Sequence, residues 1–263
     1  MVSRIESVQN EKIKAAVKLA QSAKARAEQR LFFLEGLRLC ADALNSSLAV
    51  DSVFFTPDCM EKHAETVRRL CRAAEHAYEV SSPVANKLSL TQTPQGVFCL
   101  VRSAEYADAR SIAETGKYIA LEQIQDPSNL GAVCRTAEAL GIDGAILSGC
   151  CDMYNPKALR ASMGSLLRLP IYQCPDLLPL LSEKKARGMH VYAAVPNERA
   201  LAVTACSMNG GVITVIGNEG NGVSKSALDV CDALTIPMRG RAESLNASMA
   251  AAIVMWEMMR SDR

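Results

Sequence analysis

The hydrophobic and polar positions of this chain change period repeatedly, and each change marks an element. In the first hundred residues, short apolar-rich runs at 31–34 ("LFFL"), Val50–Phe55, 78–80 and 96–101 read as strands. Between them lie stretches of helical spacing: 13–19, "EGLRLCADAL" with Leu37, Leu39, Cys40 and Leu44, and a single charged amphipathic helix over 58–74. Apolar runs answer the two-residue period of a strand and the wider spacing answers the 3.6-residue period of a helix, so this half predicts a small α/β unit. Residues 102–116 ("RSAEYADARSIAETG") carry few large apolar side chains and predict a linker.

From 117 onward the alternation is more regular. Strands are predicted at 118–121, Gly144–Ser148, 169–172, His190–Ala194, Val212–Ile216 and 233–237. Helices are predicted over "DPSNLGAVCRTAEALG", which starts on Pro-Ser-Asn and stops at Gly141, and over 156–163, 175–187 and 245–259. Strand and helix in turn, with strands apolar on both faces, predict a mostly parallel sheet covered on both sides. The division that follows is 1–102, a linker at 103–116, and 117–263.

Composition narrows the function classes. The 263 residues are 49% hydrophobic and 22% charged with a net charge of +1, so an attraction to nucleic acid has to be local. Residues 4–38 supply one candidate: Arg4, Lys12, Lys14, Lys18, Lys24, Arg26, Arg30 and Arg38 face only Glu6, Glu11, Glu28 and Glu35. A solvated helix face explains that excess as well as an RNA contact does. Ten cysteines lack any CxxC spacing, and no metal-ligand cluster is visible; reduced thiols packed as small apolar groups point to the cytoplasm. The opening "MVSRIESVQNEKIK" has no apolar core of a secretory leader, and the longest apolar run, 249–256, is far too short for a bilayer. His63, His76 and His190 are isolated and carry no motif.

Three strand ends carry unusual polar text: "QDPSNLGAVCRT", "GNEGNGVS" and "IPMRGRAESLNAS". Ligands of parallel α/β sheets bind beyond the carboxyl ends of strands. A dinucleotide phosphate is the first ligand to test. It requires G-x-G-x-x-G after the first strand of its domain; here the order is G-x-x-G-x-G, placed late, and the turn after the first strand has no such glycines. No G-x-x-x-x-G-K-[ST] is present either.

The segments "DPSNLGAVCRTAEALG", "IGNEGNGVS" and "IPMRGRAESLNASMAAAI" together resemble the SpoU (TrmH-like) class of the SPOUT RNA methyltransferases, over 118–259 and in the family's order. "FFLEGLRLCADAL" and "TQTPQGVFCLV" are similar to the substrate-binding domain of members that modify ribosomal RNA. The resemblance implies a small N-terminal RNA-binding α/β domain, a C-terminal α/β domain with a deep trefoil knot, and a homodimer formed through the C-terminal domain. It implies transfer of a methyl group from S-adenosylmethionine to a ribose 2′-hydroxyl, with rRNA favoured over tRNA, no DNA and no membrane. The knot comes from the resemblance alone, because chains almost never thread.

It also implies site residues. Asn129, Arg135, Glu219, Ser244 and Asn246 are the catalytic candidates; Gly217, Asn218, Gly220, Ile236, Met238 and Leu245 are the cofactor candidates. Each has a plainer reading. Asn129 suits a helix start, Glu219 a solvated turn, and Ser244 the N-cap of the last helix with Asn246 in its first turn. Arg135 is expected to position an RNA phosphate and stabilise developing charge rather than act as a base, because a guanidinium almost never loses its proton. Glu219 is expected to fix Arg135 or a substrate amine, and Gly217 and Gly220 to let main-chain atoms approach the cofactor. An RNA-binding protein that keeps the cofactor fold without turnover remains an alternative, as does a tRNA enzyme; a nicotinamide oxidoreductase is disfavoured by the glycine order.

Overall fold

The structure is a computed structural model that describes residues 2–260. The chain divides into two compact units, one of 1–105 with Tyr154–Leu167 and one of Tyr106–Met153 with 168–263.

Unit 1 runs β1 (Val2–Ile5), α1 (Glu11–Gln21), α2 (Ala23–Gln29), β2 (Leu31–Glu35), α3 (Leu37–Leu44), β3 (Val50–Phe55), α4 (Pro57–Lys62), α5 (Ala64–Ala73), β4 (His76–Val80), α6 (Ser82–Leu88) and β5 (Val97–Arg102). Its five-stranded sheet has the order β1-β4-β3-β5-β2, parallel in β1, β4 and β3 and antiparallel where β5 joins β3 and β2. Phe33, Phe54 and Phe98 fill one face of it against Ile13, Ala16 and Leu19 of α1. The single helix predicted over 58–74 is two. His63 leaves the helical region at φ −133°, ψ 39° and serves both as the end of α4 and the start of α5. Glu35, buried at the end of β2, holds the turn that follows α6: it accepts from Ser89 Oγ (2.6 Å), Thr91 Oγ1 (2.7 Å) and the Leu90 amide (2.9 Å).

Unit 2 runs β6 (Ala107–Asp108), β7 (Lys117–Glu122), α7 (Pro127–Leu140), β8 (Gly144–Ser148), then α8 (Pro156–Ser162), whose residues group with unit 1. It continues through β9 (Ile171–Gln173), α9 (Leu177–Ala186), β10 (His190–Ala194), β11 (Leu201–Ala202), β12 (Val212–Ile216), α10 (Lys225–Leu228), β13 (Asp232–Thr235) and α11 (Ala247–Arg260). The eight strands form one parallel sheet of order β11-β13-β10-β12-β7-β8-β9-β6. The α/β, mostly parallel architecture read from the sequence is therefore present. The stretch expected to be a linker is partly built in: β6 pairs with β9, and Ala109 and Ile112 are buried in the unit 2 core. Small apolar side chains among polar ones hid it. Tyr154, from the segment between β8 and α8, stacks on Phe32 with ring centroids 4.2 Å apart, inside unit 1.

All ten cysteines are free. Burial pushes the Cys134 and Cys231 thiols up to about 12 and Cys59 to about 11, which keeps them protonated and unreactive at neutral pH. No helix among the described residues is long and apolar enough to cross a membrane.

Candidate active site

Three strands that lie side by side in the unit 2 sheet, β13, β10 and β12, open at their carboxyl ends onto one cleft of about 350 Å³. β10 contributes Ala194–Pro196, β12 contributes 216–220 and Gly222, and β13 contributes Thr235, Ile236 and Met238. Ser244, Leu245, Asn246, Ala247 and Ala250 close it from the start of α11. All six cofactor candidates line this cleft, as do Glu219, Ser244 and Asn246 among the catalytic ones.

The glycine turn after β12 is held by its own backbone. The Asn218 and Gly222 amides each donate to the other's carbonyl, at 3.0 and 2.9 Å. Asn218 Oδ1 accepts from the amides of Gly220 (2.9 Å) and Asn221 (3.0 Å), and its Nδ2 donates to the Gln123 carbonyl (2.8 Å). A Cβ on Gly217 would overlap the backbone of Gly222 and Val223, and Gly222 has φ +69°. Gly217 is therefore required for closure of the turn itself, whereas the space around Gly220 is ordinary. Just beyond the turn, the Ser224 amide and hydroxyl donate to the Glu122 carboxylate at 2.8 and 2.7 Å. The helix start that would cradle a pyrophosphate already holds a carboxylate, so the dinucleotide reading fails on geometry as well as on glycine order.

A polar chain links the three polar stretches. Glu219 accepts from Asn129 Nδ2 at 2.9 Å and from the Gln125 and Asp126 amides at 3.4 Å. Asn129 Oδ1 accepts from Asn246 Nδ2 at 3.1 Å, and Asn246 Oδ1 accepts from the Ser248 amide (2.9 Å) and hydroxyl (2.7 Å). The direction of every bond follows from its ends, since a carboxylate only accepts and an amide N–H only donates. Burial acts to raise the Glu219 pKa, but the hydrogen bonds from Asn129 and the backbone outweigh it and hold the carboxyl below its ordinary 4.5.

Two expectations change here. The partner of Glu219 is Asn129 with the start of α7, not Arg135. The cap of the last helix is Asn246, not Ser244, which is exposed with no hydrogen bond among the described residues. Asn129 is 9% exposed and faces the cleft network, while Arg135 lies six residues along α7, about 240° around the helix, on the exposed surface. It makes no hydrogen bond or ion pair among the described residues and does not line the cleft. Sequence reasoning missed Ala194, Val195, Pro196 and Thr235; the rule that ligands sit at carboxyl ends of strands would have found them at the end of β10 and β13.

The chain matches the SpoU rRNA Methylase family over residues 116–256 and the MRM3-like substrate binding domain over 10–99. It belongs to the SpoU methylase family. It is 30% identical to the 23S rRNA (guanosine(2553)-2'-O)-methyltransferase RlmP of Bacillus subtilis, over 98% of this chain and 99% of that one. It is 33% identical to an uncharacterized tRNA/rRNA methyltransferase of Synechocystis, over 98% and 94%. The AdoMet-bound rRNA methyltransferase of Sinorhizobium meliloti superposes with a TM-score of 0.87 at 28% identity, over 99% of this chain and 98% of that one.

The cleft fits such a cofactor. Its volume falls in the range of about 300–1,000 Å³ usual for small-ligand sites. Met238 and Leu245, at 36% and 39% exposure, offer apolar surface to a flat heterocycle beside the backbone that follows β13, and Asn218, Thr235 and Asn246 supply polar edges.

Proposed function

We propose that this SpoU-family protein methylates a ribose 2′-hydroxyl in RNA, ribosomal RNA in preference to tRNA, with S-adenosylmethionine as donor. The observation that carries the reading is the cleft at the ends of β10, β12 and β13, in which the three polar stretches converge. S-adenosylmethionine supplies an already activated sulfonium methyl, so the protein's task is alignment and exclusion of water. The turn of Gly217, Asn218 and Gly220 forms one wall; Ile236, Met238 and Leu245 form the adenine side. Asn129 and Asn246, oriented by Glu219, hold the ribose, and Ser244 faces it from the loop before α11. Arg135 stands exposed on α7 outside this chain's own cleft, so within a homodimer it would act toward the site of the second copy, gripping the adjoining phosphate and stabilising charge developing on the 2′-oxygen; a phosphate oxygen or water takes the proton. A 2′-hydroxyl nucleophile excludes DNA as substrate. Residues 1–102 serve as the substrate-binding domain.

The working form is a cytoplasmic homodimer with a trefoil knot in unit 2. Two features support it. Met249, Ile253 and Trp256 make an exposed apolar stripe along α11, at 56%, 39% and 51% exposure, which a second copy would cover. The interleaved order of β10, β12 and β13 suits a threaded crossover.

Mass-spectrometric mapping of 2′-O-methyl sites in RNA from cells with and without the gene tests the activity; one rRNA site is expected to disappear. Arg135→Ala is expected to keep the calorimetric affinity for S-adenosylmethionine while kcat falls by about 10²–10³. Unchanged RNA modification in the deleted strain would remove the reading.

A further inference from the structure

The basic excess near the N-terminus is mostly tied down. Arg26 is 4% exposed, and its guanidinium donates to the carbonyls of Leu19 (2.6 Å) and Ala20 (3.3 Å), capping the end of α1. Arg4 pairs with Glu6 at 3.1 Å, Lys14 with Glu11 at 2.9 Å, Lys24 with Glu28 at 3.8 Å and Arg30 with Glu105 at 3.8 Å. The Lys12 ammonium lies 5.2 Å from the centre of the Tyr78 ring. Lys18 and Arg38 alone of the eight have no such partner among the described residues. Arg38 stands exposed in the first turn of α3.

Lys18 differs, because it lines a cavity of about 310 Å³ between α1 and α6. Lys14, Lys87, Gln21 and Ser22 share that lining, over a floor of Val8, Ile13 and Val17. Lys87 comes from the last turn of α6 and is likewise exposed with no ion pair among the described residues. No acid lines the cavity among the described residues, and Glu11 of the same helix is held by Lys14. Arg26 of α2, whose guanidinium caps the carboxyl end of α1, adds a further positive charge close by in sequence.

Two unpaired ammonium groups from different helices, two further polar donors and an aliphatic floor form a site for an anion that carries an apolar face. A phosphodiester with its sugar has that chemistry; a bare ion leaves the floor uncovered. We propose that this cavity is an RNA contact of unit 1, with a backbone phosphate between Lys18 and Lys87 and the adjoining sugar on Val8 and Val17. The proposal rests on the RNA methyltransferase reading for its choice of polymer. It also concentrates the substrate grip in one cavity, where the charge count alone spread it over residues 4–38.

The full-length protein with Lys18→Ala and Lys87→Ala tests it, on rRNA from cells lacking the gene. Both side chains are exposed, so the fold is retained. Expected results are a rise of about tenfold in KM for RNA, unchanged kcat and unchanged calorimetric affinity for S-adenosylmethionine. The slope of log affinity against log salt is expected to fall by about 1, because one phosphate contact is lost. A control pair, Lys24→Ala with Lys62→Ala, removes the same charge outside the cavity and is expected to change KM by less than about twofold. An unchanged KM in the cavity variant, or equal losses in the two variants, overturns the proposal while leaving the methyltransferase reading intact. Should the wild type methylate no RNA, that reading fails by itself, and RNA affinities of both variants by fluorescence anisotropy still decide the cavity.

Discussion

The two loops that face each other across the cleft are built on opposite principles. The turn after β12 satisfies its backbone internally: Asn218 binds three main-chain groups and pairs with Gly222, and no side chain fits at Gly217. The loop after β13, residues 236–245, shows no such backbone pairing among the described residues, and Arg239, Gly240 and Arg241 stand exposed. One wall is set before any ligand arrives; the other is free to settle on it. A methyl transfer needs both, because in-line geometry demands a fixed reference and exclusion of water demands a part that closes. Among the described residues, the Asn129–Asn246 hydrogen bond ties the start of α11, where the free loop ends, to the Glu219 side.

Breaking the fixed wall is expected to cost most. Gly217→Ala places a methyl group into the backbone of Gly222 and Val223 and is expected to cost about 3 kcal/mol of stability, with loss of cofactor binding. Thermal unfolding and calorimetry measure both, and a variant as stable as wild type would mean that the turn is adjustable after all.

Cutting the tie comes next. Asn246→Ser keeps an acceptor at the cap of α11 but is too short to reach Asn129, so kcat is expected to fall about tenfold with little change in melting temperature. Asn246→Ala also loses the cap, an additional cost of about 1 kcal/mol. If the Ser variant turns over normally, the two walls work independently.

A smaller effect appears in acid. The folded-state pKa of Glu219 lies below 4.5, so its stabilisation is present above that value and is lost as pH falls through the folded-state pKa. The stability gap between wild type and Glu219→Gln is expected to be below about 1 kcal/mol near neutrality, because solvent screens this carboxylate. It closes on acidification below 4.5, as pH-dependent melting curves would show; a gap that widens there contradicts the assignment. The smallest effect belongs to Gly240→Ala in the free loop, where a Cβ meets nothing within 4 Å. Its activity is expected to stay within about twofold of wild type.

What the residue pattern disclosed follows the same division between local and distant causes. β3, β8, β10 and β12 occupy the predicted residues because each is an apolar run whose burial depends on its own composition. β1 escaped notice because three of its four residues are exposed, and α6 because "SPVANKL" is short and mixed. The residues that line the cleft were legible through family resemblance, since they lie in contiguous stretches. The Glu219–Asn129–Asn246 chain was not, because its bonds join positions 90 and 117 residues apart. Helix capping misled for a simpler reason: Ser244 and Asn246 are both good caps, and only the backbone path decides between them.

The stacking of Tyr154 on Phe32 also fixes an order of events during synthesis. Unit 1 draws its last piece, Tyr154–Leu167, from beyond β6, β7 and β8. On the ribosome the first unit therefore stays unfinished until residue 167 has emerged, by which time part of the second unit has already been translated. A fragment cut after Glu105 would leave the Phe32 ring bare, and its tendency to aggregate would report how much that borrowed segment seals.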